Sequence, residues 1–399
     1  MAFKFEQLEV WRRAIVYRLS SIVLVNLLLV ACSGSAQTAL PSGQVAVAES
    51  LGGQARAGFA RATSQREFVF PRDHGPHQEY AIEWWYYTGN LDAQPGRHFG
   101  YQLTFFRIGL APQPAQRPSD WAASNIYMAH FALADVAAGK FYAFERFSRG
   151  AAGLAGAQGQ PFRVRLEDWG AEGAGAGALP MRLRAAQGDI AIDLALQGGK
   201  PVVLQGDRGL SQKSAEPGNA SYYYSLTRMP TRGSVRVGSE SIDVSGLSWM
   251  DHEWSTSVLG AGAIGWDWFA VQLSDGRDLM YARLRDSGGA TLYAYGTLVA
   301  ADGSARPLAP AEMALDATGS WQSQRSGGRY PSGWRLQVPA AGLDLRIVPY
   351  LADQELPLTT VYWEGAVKVE GTAGGAPIGG SGYVELTGYA DRPGEVQVR

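Results

Sequence analysis

The chain has 399 residues, 46% of them hydrophobic and 18% charged, which is long enough to bury a sizeable core. Thirty-five Lys and Arg against 37 Asp and Glu give a net charge of −2, and no basic run crosses the body, which argues against nucleic acid as a partner. One Cys excludes a disulfide framework and a thiolate zinc cluster, while 50 Gly with 12 Trp, 18 Tyr and 14 Phe point to short strands and turns, not helical bundles.

At the N-terminus, Lys4, Arg12, Arg13 and Arg18 precede an apolar run over 19–31 that only Ser20, Ser21 and Asn26 interrupt. The run is shorter than the ~20 residues a bilayer needs, but it suits the apolar part of a secretory signal. It closes on Leu29-Val30-Ala31-Cys32 and continues as Ser33-Gly34-Ser35, which resembles a bacterial lipobox. The expectation is a signal peptide over 1–31, lipidation at Cys32, and a flexible tether over 32–65, rich in Ser, Ala, Gly and Gln. Ser33 after the cysteine resembles outer-membrane sorting. The expected location is therefore the periplasmic face of a cell envelope, with the membrane met through the lipid on Cys32.

Strand signals then recur. They cover 80–87, 99–108, 126–135, 141–147, 162–166, 181–185, 190–196, 222–227, 234–237 and 241–244, with Gly or Pro between most of them. Residues 150–177 include Gly173-Ala174-Gly175-Ala176-Gly177 and read largely as loop. Two aromatic-headed hairpins echo each other: Glu83-Trp84-Trp85-Tyr86-Tyr87 before 99–107, and Trp266-Asp267-Trp268-Phe269 before 279–284. Each reads as the opening of a β-domain, giving domains at 66–257 and 258–399. A final hairpin is expected from 361–370 and 382–389 around a Gly-rich turn at 371–380.

Several motif matches fail on context. Gly260-Ala261-Gly262-Ala263-Ile264-Gly265 fits a dinucleotide fingerprint, but a strand and not a helix follows it. Gly246-Leu247-Ser248 lacks the closing Gly of a nucleophile elbow, and His252-Glu253 lacks the second His of a zincin. Asp73-His74-Gly75-Pro76-His77 could give metal ligands with His130 or His252, but reads better as a polar loop orienting the next strand; no metal or cofactor is expected. In Gly246-Leu247-Ser248-Trp249-Met250-Asp251-His252-Glu253-Trp254, extended geometry puts Met250, His252 and Trp254 on one face and Trp249, Asp251 and Glu253 on the other. Trp84 and Tyr86 likewise oppose Glu83, Trp85 and Tyr87. A buried Glu83 would need Arg228, Arg232 or His77 as partner. The imidazole beside an indole suits either a pocket for an apolar, π-rich ligand or plain core packing.

Together these segments, with Met128-Ala129-His130-Phe131, 223–233, 265–273 and Tyr362-Trp363-Glu364-Gly365, resemble the lipocalin-like family of carotenoid 1,2-hydratases (hydroxyneurosporene synthases) and AttH-type lipoproteins encoded beside ABC transporters. The resemblance implies an all-β fold of two tandem lipocalin-like barrels or sandwiches, with a cavity for a lipophilic small molecule. Its AttH-type branch implies an envelope lipoprotein accessory to an ABC transport system, with a transporter permease as partner. Its hydratase branch implies acid addition to an isoprenoid or polyene double bond. There His252 and Trp254 match a His-x-Trp element, Tyr281 a Tyr-x-Asp element with Arg283 in place of the Asp, and Asp267 a substitute acid. Glu83, Trp85, Tyr87, His130, Trp249, Trp266 and Trp268 are then the expected ligand-binding residues.

Overall fold

The computed structural model describes residues 57–113, 119–175, 177–257 and 259–390, all within one compact unit, Gln44–Arg399. The expected signal peptide, Cys32 and most of the tether lie outside the described residues. No helix among the described residues is long and apolar enough to cross a membrane.

The fold is all-β and lipocalin-like. A 13-stranded antiparallel sheet is built from Ile82–Ala93, Arg97–Gly109, Asn125–Asp135 and Lys140–Arg149 on one side, and from the long pair Ala220–Val237 and Glu240–Ser255 on the other. Seven shorter strands between 155 and 212 complete it. The sheet curls almost into a barrel. Arg146, on the edge strand Lys140–Arg149, reaches the far end by donating to the Ala186 carbonyl at 3.0 Å and lying over the Trp169 ring at 4.4 Å. Alternation along each strand fills the interior with Trp85, Tyr87, Tyr101, Phe105, Trp169 and Trp254.

After residues 256–264 a second antiparallel sheet begins, ten strands including Gly265–Leu273, Asp278–Arg285, Val361–Ala373 and Ala376–Leu386. It wraps its own core of Phe269, Trp334, Leu345, Ile347 and Trp363. Its last hairpin turns on two residues only, Gly374 and Gly375, at φ +57° and +85°, the left-handed pair that a tight two-residue turn requires. The expected ten-residue turn is therefore strand for most of its length.

Two other differences have local causes. Residues 220–237 form one strand where two are expected, because the register slips between Leu226 and Met229. A bulge of this kind absorbs the Arg228 side chain without ending the strand. Within the expected loop at 150–177, Ala155–Gly159 and Trp169–Gly173 also pair into the sheet, flanking Phe162–Leu166.

The outer faces of the two sheets pack together. Asp278 fastens one end, accepting from Lys200 at 2.8 Å, Thr227 at 2.8 Å and Arg228 at 2.9 Å. At the other end His130 meets the Tyr362 hydroxyl at 2.7 Å and Glu145 accepts from Thr359 at 2.6 Å. Gly100 permits the closest approach, since a Cβ there would lie 2.3 Å from that of Ala366.

Candidate functional site

Between these fastenings lies a cavity walled by both sheets. Trp84, Tyr86, Phe106, Tyr223, Asp251 and Glu253 come from the first sheet; Trp266, Trp268, Tyr295, Glu364 and Glu385 come from the second. Its empty space is about 710 Å³ counted out to its mouth, of which water centres can occupy about 70 Å³. A single water needs ~10–15 Å³ on that measure, so the slot holds several waters or a flat or linear apolar group. Tyr86 and Trp249 stand edge-on to Trp268, at 5.1 and 6.2 Å between ring centres.

Four carboxyl groups enter this aromatic slot. Asp251 accepts from Ser225 at 2.5 Å, Trp249 Nε1 at 2.7 Å and Tyr223 at 2.7 Å, and the Tyr223 oxygen accepts from Trp268 Nε1 at 3.1 Å. Burial outweighs those bonds and pushes Asp251 up from 3.8 to about 7. Glu385 is raised to about 8, first by burial and then by the charges of Glu253 and Asp251. Glu364 stands directly across the strands from Glu385 and accepts from Tyr86 at 2.9 Å. Burial and its carboxyl neighbour hold it well above the usual range. Two like charges so placed cannot both ionise cheaply, so the pair retains a proton at neutral pH. Glu253 is paired with Lys213 at 2.6 Å. Burial opposes the charge on Lys213, but Glu253 and Tyr295 carry it above its ordinary value.

A second polar cluster is sealed inside the first barrel. Glu83 bonds His77 Nδ1 at 2.8 Å, His252 Nε2 at 2.9 Å and Arg107 Nε at 2.7 Å, and none of these groups faces the cavity. Burial opposes the Glu83 charge, but Arg107, His252 and His77 bring it well below the usual carboxylate range. His252 falls to about 4 through burial, despite Glu83. His77 rises, because Asp73 and Glu83 overcome its burial. The tautomers that satisfy every contact have His252 donating from Nε2 to Glu83 and accepting at Nδ1 from Tyr224 (3.1 Å), with His74 Nδ1 donating to the Tyr224 oxygen (2.6 Å). The donor atoms of His77, Glu83 and His252 lie within 4.8 Å of one another, a spacing that could hold a metal. Here they are bonded to one another, and the Arg107 guanidinium already supplies positive charge to the same carboxylate.

Residues 61–389 match the AttH-like family. The chain belongs to that family. An AttH protein (NE1406) from Nitrosomonas europaea has a crystal structure 34% identical to this AttH-like chain, with a TM-score of 0.75, covering 84% of this chain and 100% of its own. Kievitone hydratase from Nectria haematococca shares the fold at 15% identity and a TM-score of 0.63, covering 84% of this chain and 99% of its own. No curated protein sequence matches the chain.

In the AttH-like chain the expected site residues divide among separate places. Trp266 and Trp268 line the cavity and Trp249 backs it. Glu83, Trp85, Tyr87, His252 and Trp254 point into the first barrel, with His77 stacked on Trp254 at 3.7 Å. Asp267 faces the core of the second sheet, bonded to Arg283 at 2.8 Å, Arg285 at 2.7 Å and Tyr389 at 3.0 Å. Two guanidinium groups and a phenol hydroxyl thus engage its carboxylate. Tyr281 packs in the same core, against Phe269. His130 belongs to the fastening between the sheets. The expected catalytic set of His252, Trp254, Tyr281 and Asp267 therefore does not converge. For Glu83, the partner His77 is as expected, Arg107 takes the place considered for Arg228 or Arg232, and Arg228 serves Asp278.

Glu364 lies in one of the segments that carry the family resemblance, but neither it nor Glu385, Lys213 or Tyr295 is among the expected site residues. One signal was available: an acid inside an otherwise apolar strand, as in Val361-Tyr362-Trp363-Glu364 and Tyr383-Val384-Glu385-Leu386, demands an explanation.

Proposed function

We propose that the chain takes a lipophilic, π-rich small molecule into the inter-sheet slot and acts on it as a hydratase or isomerase of carbon–carbon double bonds. One observation carries this reading: carboxyl groups that hold or share protons near neutrality project into a slot walled by Trp84, Trp266 and Trp268. The Glu364–Glu385 pair supplies a proton to one alkene carbon, whose π electrons form the new C–H bond. The tertiary cation left on the other carbon lies among indole rings that stabilise positive charge. Water attacks that carbon, and Asp251, poised about 7, takes the proton the water sheds. Proton return from Asp251 to the glutamates through solvent completes a net addition of water; loss of a different proton from the cation gives isomerisation instead. A hydratase among the solved relatives of the fold is consistent with this chemistry.

The test is incubation of the purified protein with geranylgeraniol, squalene and lycopene in deuterium oxide, followed by mass spectrometry. Deuterium or a water adduct that disappears in Glu385→Gln supports the reading. Tight binding of the same compounds with no incorporation points to a second reading, which the lipobox-like segment at Cys32 favours: an envelope lipoprotein that carries the lipophile for an ABC transport system without altering it.

A further inference from the structure

The outer face of the first sheet bears an apolar patch away from the second sheet. Leu110, Trp121 and Phe147 are 52, 59 and 50% exposed, and Ile126 is 36% exposed. Pairing places them around one corner. Leu110 donates its N–H to the Ser124 carbonyl, Ile126 is opposite both Ile108 and Arg149, and Phe147 is opposite Met128. Arg149 lies 6.0 Å from the Trp121 ring and has no carboxylate partner among the described residues. Large exposed side chains clustered in this way mark an interaction site, and an indole beside a guanidinium that donates to its backbone carbonyl suits the boundary between acyl chains and headgroups.

Two further observations say what covers the patch. The described chain begins at this corner: the Phe59 ring packs on Gly109, and a Cβ on Gly58 would lie 3.0 Å from Pro112. The residues leading back to Cys32 therefore join the body beside Leu110. Second, Trp84, Phe106, Met128 and Phe147 form one cross-strand row. The row begins at the cavity wall and ends in the patch. We propose that Leu110, Trp121, Ile126, Phe147 and Arg149 form a membrane-docking surface that seats the body on a lipid bilayer and aligns the apolar row with it. The orientation toward the bilayer rests on lipidation of Cys32; the affinity of the patch for lipid does not.

Every described strand lies within 57–390, and 84% of this chain covers the Nitrosomonas europaea structure in full, so the body of residues 33–399 contains every described strand. That body is sedimented with vesicles of phosphatidylethanolamine and phosphatidylglycerol. Partition is expected, and the double variant Trp121→Ser, Phe147→Ser should lower it by at least about tenfold, the equivalent of ~1.4 kcal/mol. Both side chains are exposed, so an unchanged thermal transition will verify folding. No partition of the unaltered body, or equal partition of the variant, overturns the proposal. So does a concentration-dependent dimer that the same variant dissolves, since the patch would then face a second copy. Acylation is read separately, by mass spectrometry of the full-length chain, so its failure is not confused with that of the patch.

Discussion

Replacing Asp251 by Asn keeps the side-chain shape and the bonds from Ser225 and Trp249 but removes the titrating proton. In the folded protein Asp251 titrates at about 7 against 3.8 in its ordinary state. The folded state therefore holds a proton that the unfolded state has lost, and the stability this provides is full below 3.8 and falls as pH rises to about 7. At ~1.4 kcal/mol per pH unit, the part lost between pH 6 and 8.5 is about 1.4 kcal/mol. Urea unfolding at the two pH values should show the wild type losing that much more than Asp251→Asn. Catalysis should respond as well. With Asp251 as base and the glutamates as acid, kcat/KM should rise as Asp251 ionises about 7 and fall as Glu385 loses its proton about 8. Asp251→Asn should lower turnover by ~10²–10⁴ and abolish the rising limb. An unchanged pH difference in stability together with a retained rising limb would refute the assignment of a poised, buried carboxyl.

Other perturbations separate the cavity from its surroundings. His252→Gln should cost ~1–3 kcal/mol by disturbing the Glu83 network, yet leave turnover of the folded protein within about threefold; a specific loss of turnover with unchanged stability would return His252 to the chemistry. Gly100→Leu drives a side chain into Ala366 and should reduce stability by ~1–3 kcal/mol, with weaker binding of a fluorescent polyene as the readout. Asp278→Asn removes the negative charge that Lys200 and Arg228 share and should cost ~3–5 kcal/mol in thermal or urea unfolding.

The strands were the legible part of the sequence. Phe162–Leu166 and Ile190–Leu196 have the bounds that their alternation suggests, and the sorting of Trp84 and Tyr86 against Glu83, Trp85 and Tyr87 is the one observed. What alternation does not say is which face meets which neighbour. Both faces of Glu240–Ser255 are buried toward its end, so periodicity separates His252 from Asp251 without telling barrel interior from cavity. The densest polar and aromatic run draws notice to His252, but its partners Glu83 and Tyr224 are remote in sequence and only the folded chain brings them to it. The raised protonation of the cavity acids was not legible because it is collective. Glu364 is shifted by Glu385 and by burial between two sheets, and neither influence exists until the sheets meet.

The cavity lining belongs to neither sheet's own core. Trp84, Phe106 and Trp266 sit on outward faces, while Trp85, Phe105 and Phe269 fill the cores behind them. The alternation of the strands thus assigns adjacent residues to different duties, one inward for folding and the next outward for recognition. A substitution at a wall position alters what the slot accepts and leaves the inward neighbour's packing in place. An architecture divided in this way can change its choice of ligand by single steps while the two cores keep their packing, so divergence of specificity need not pass through unfolded intermediates.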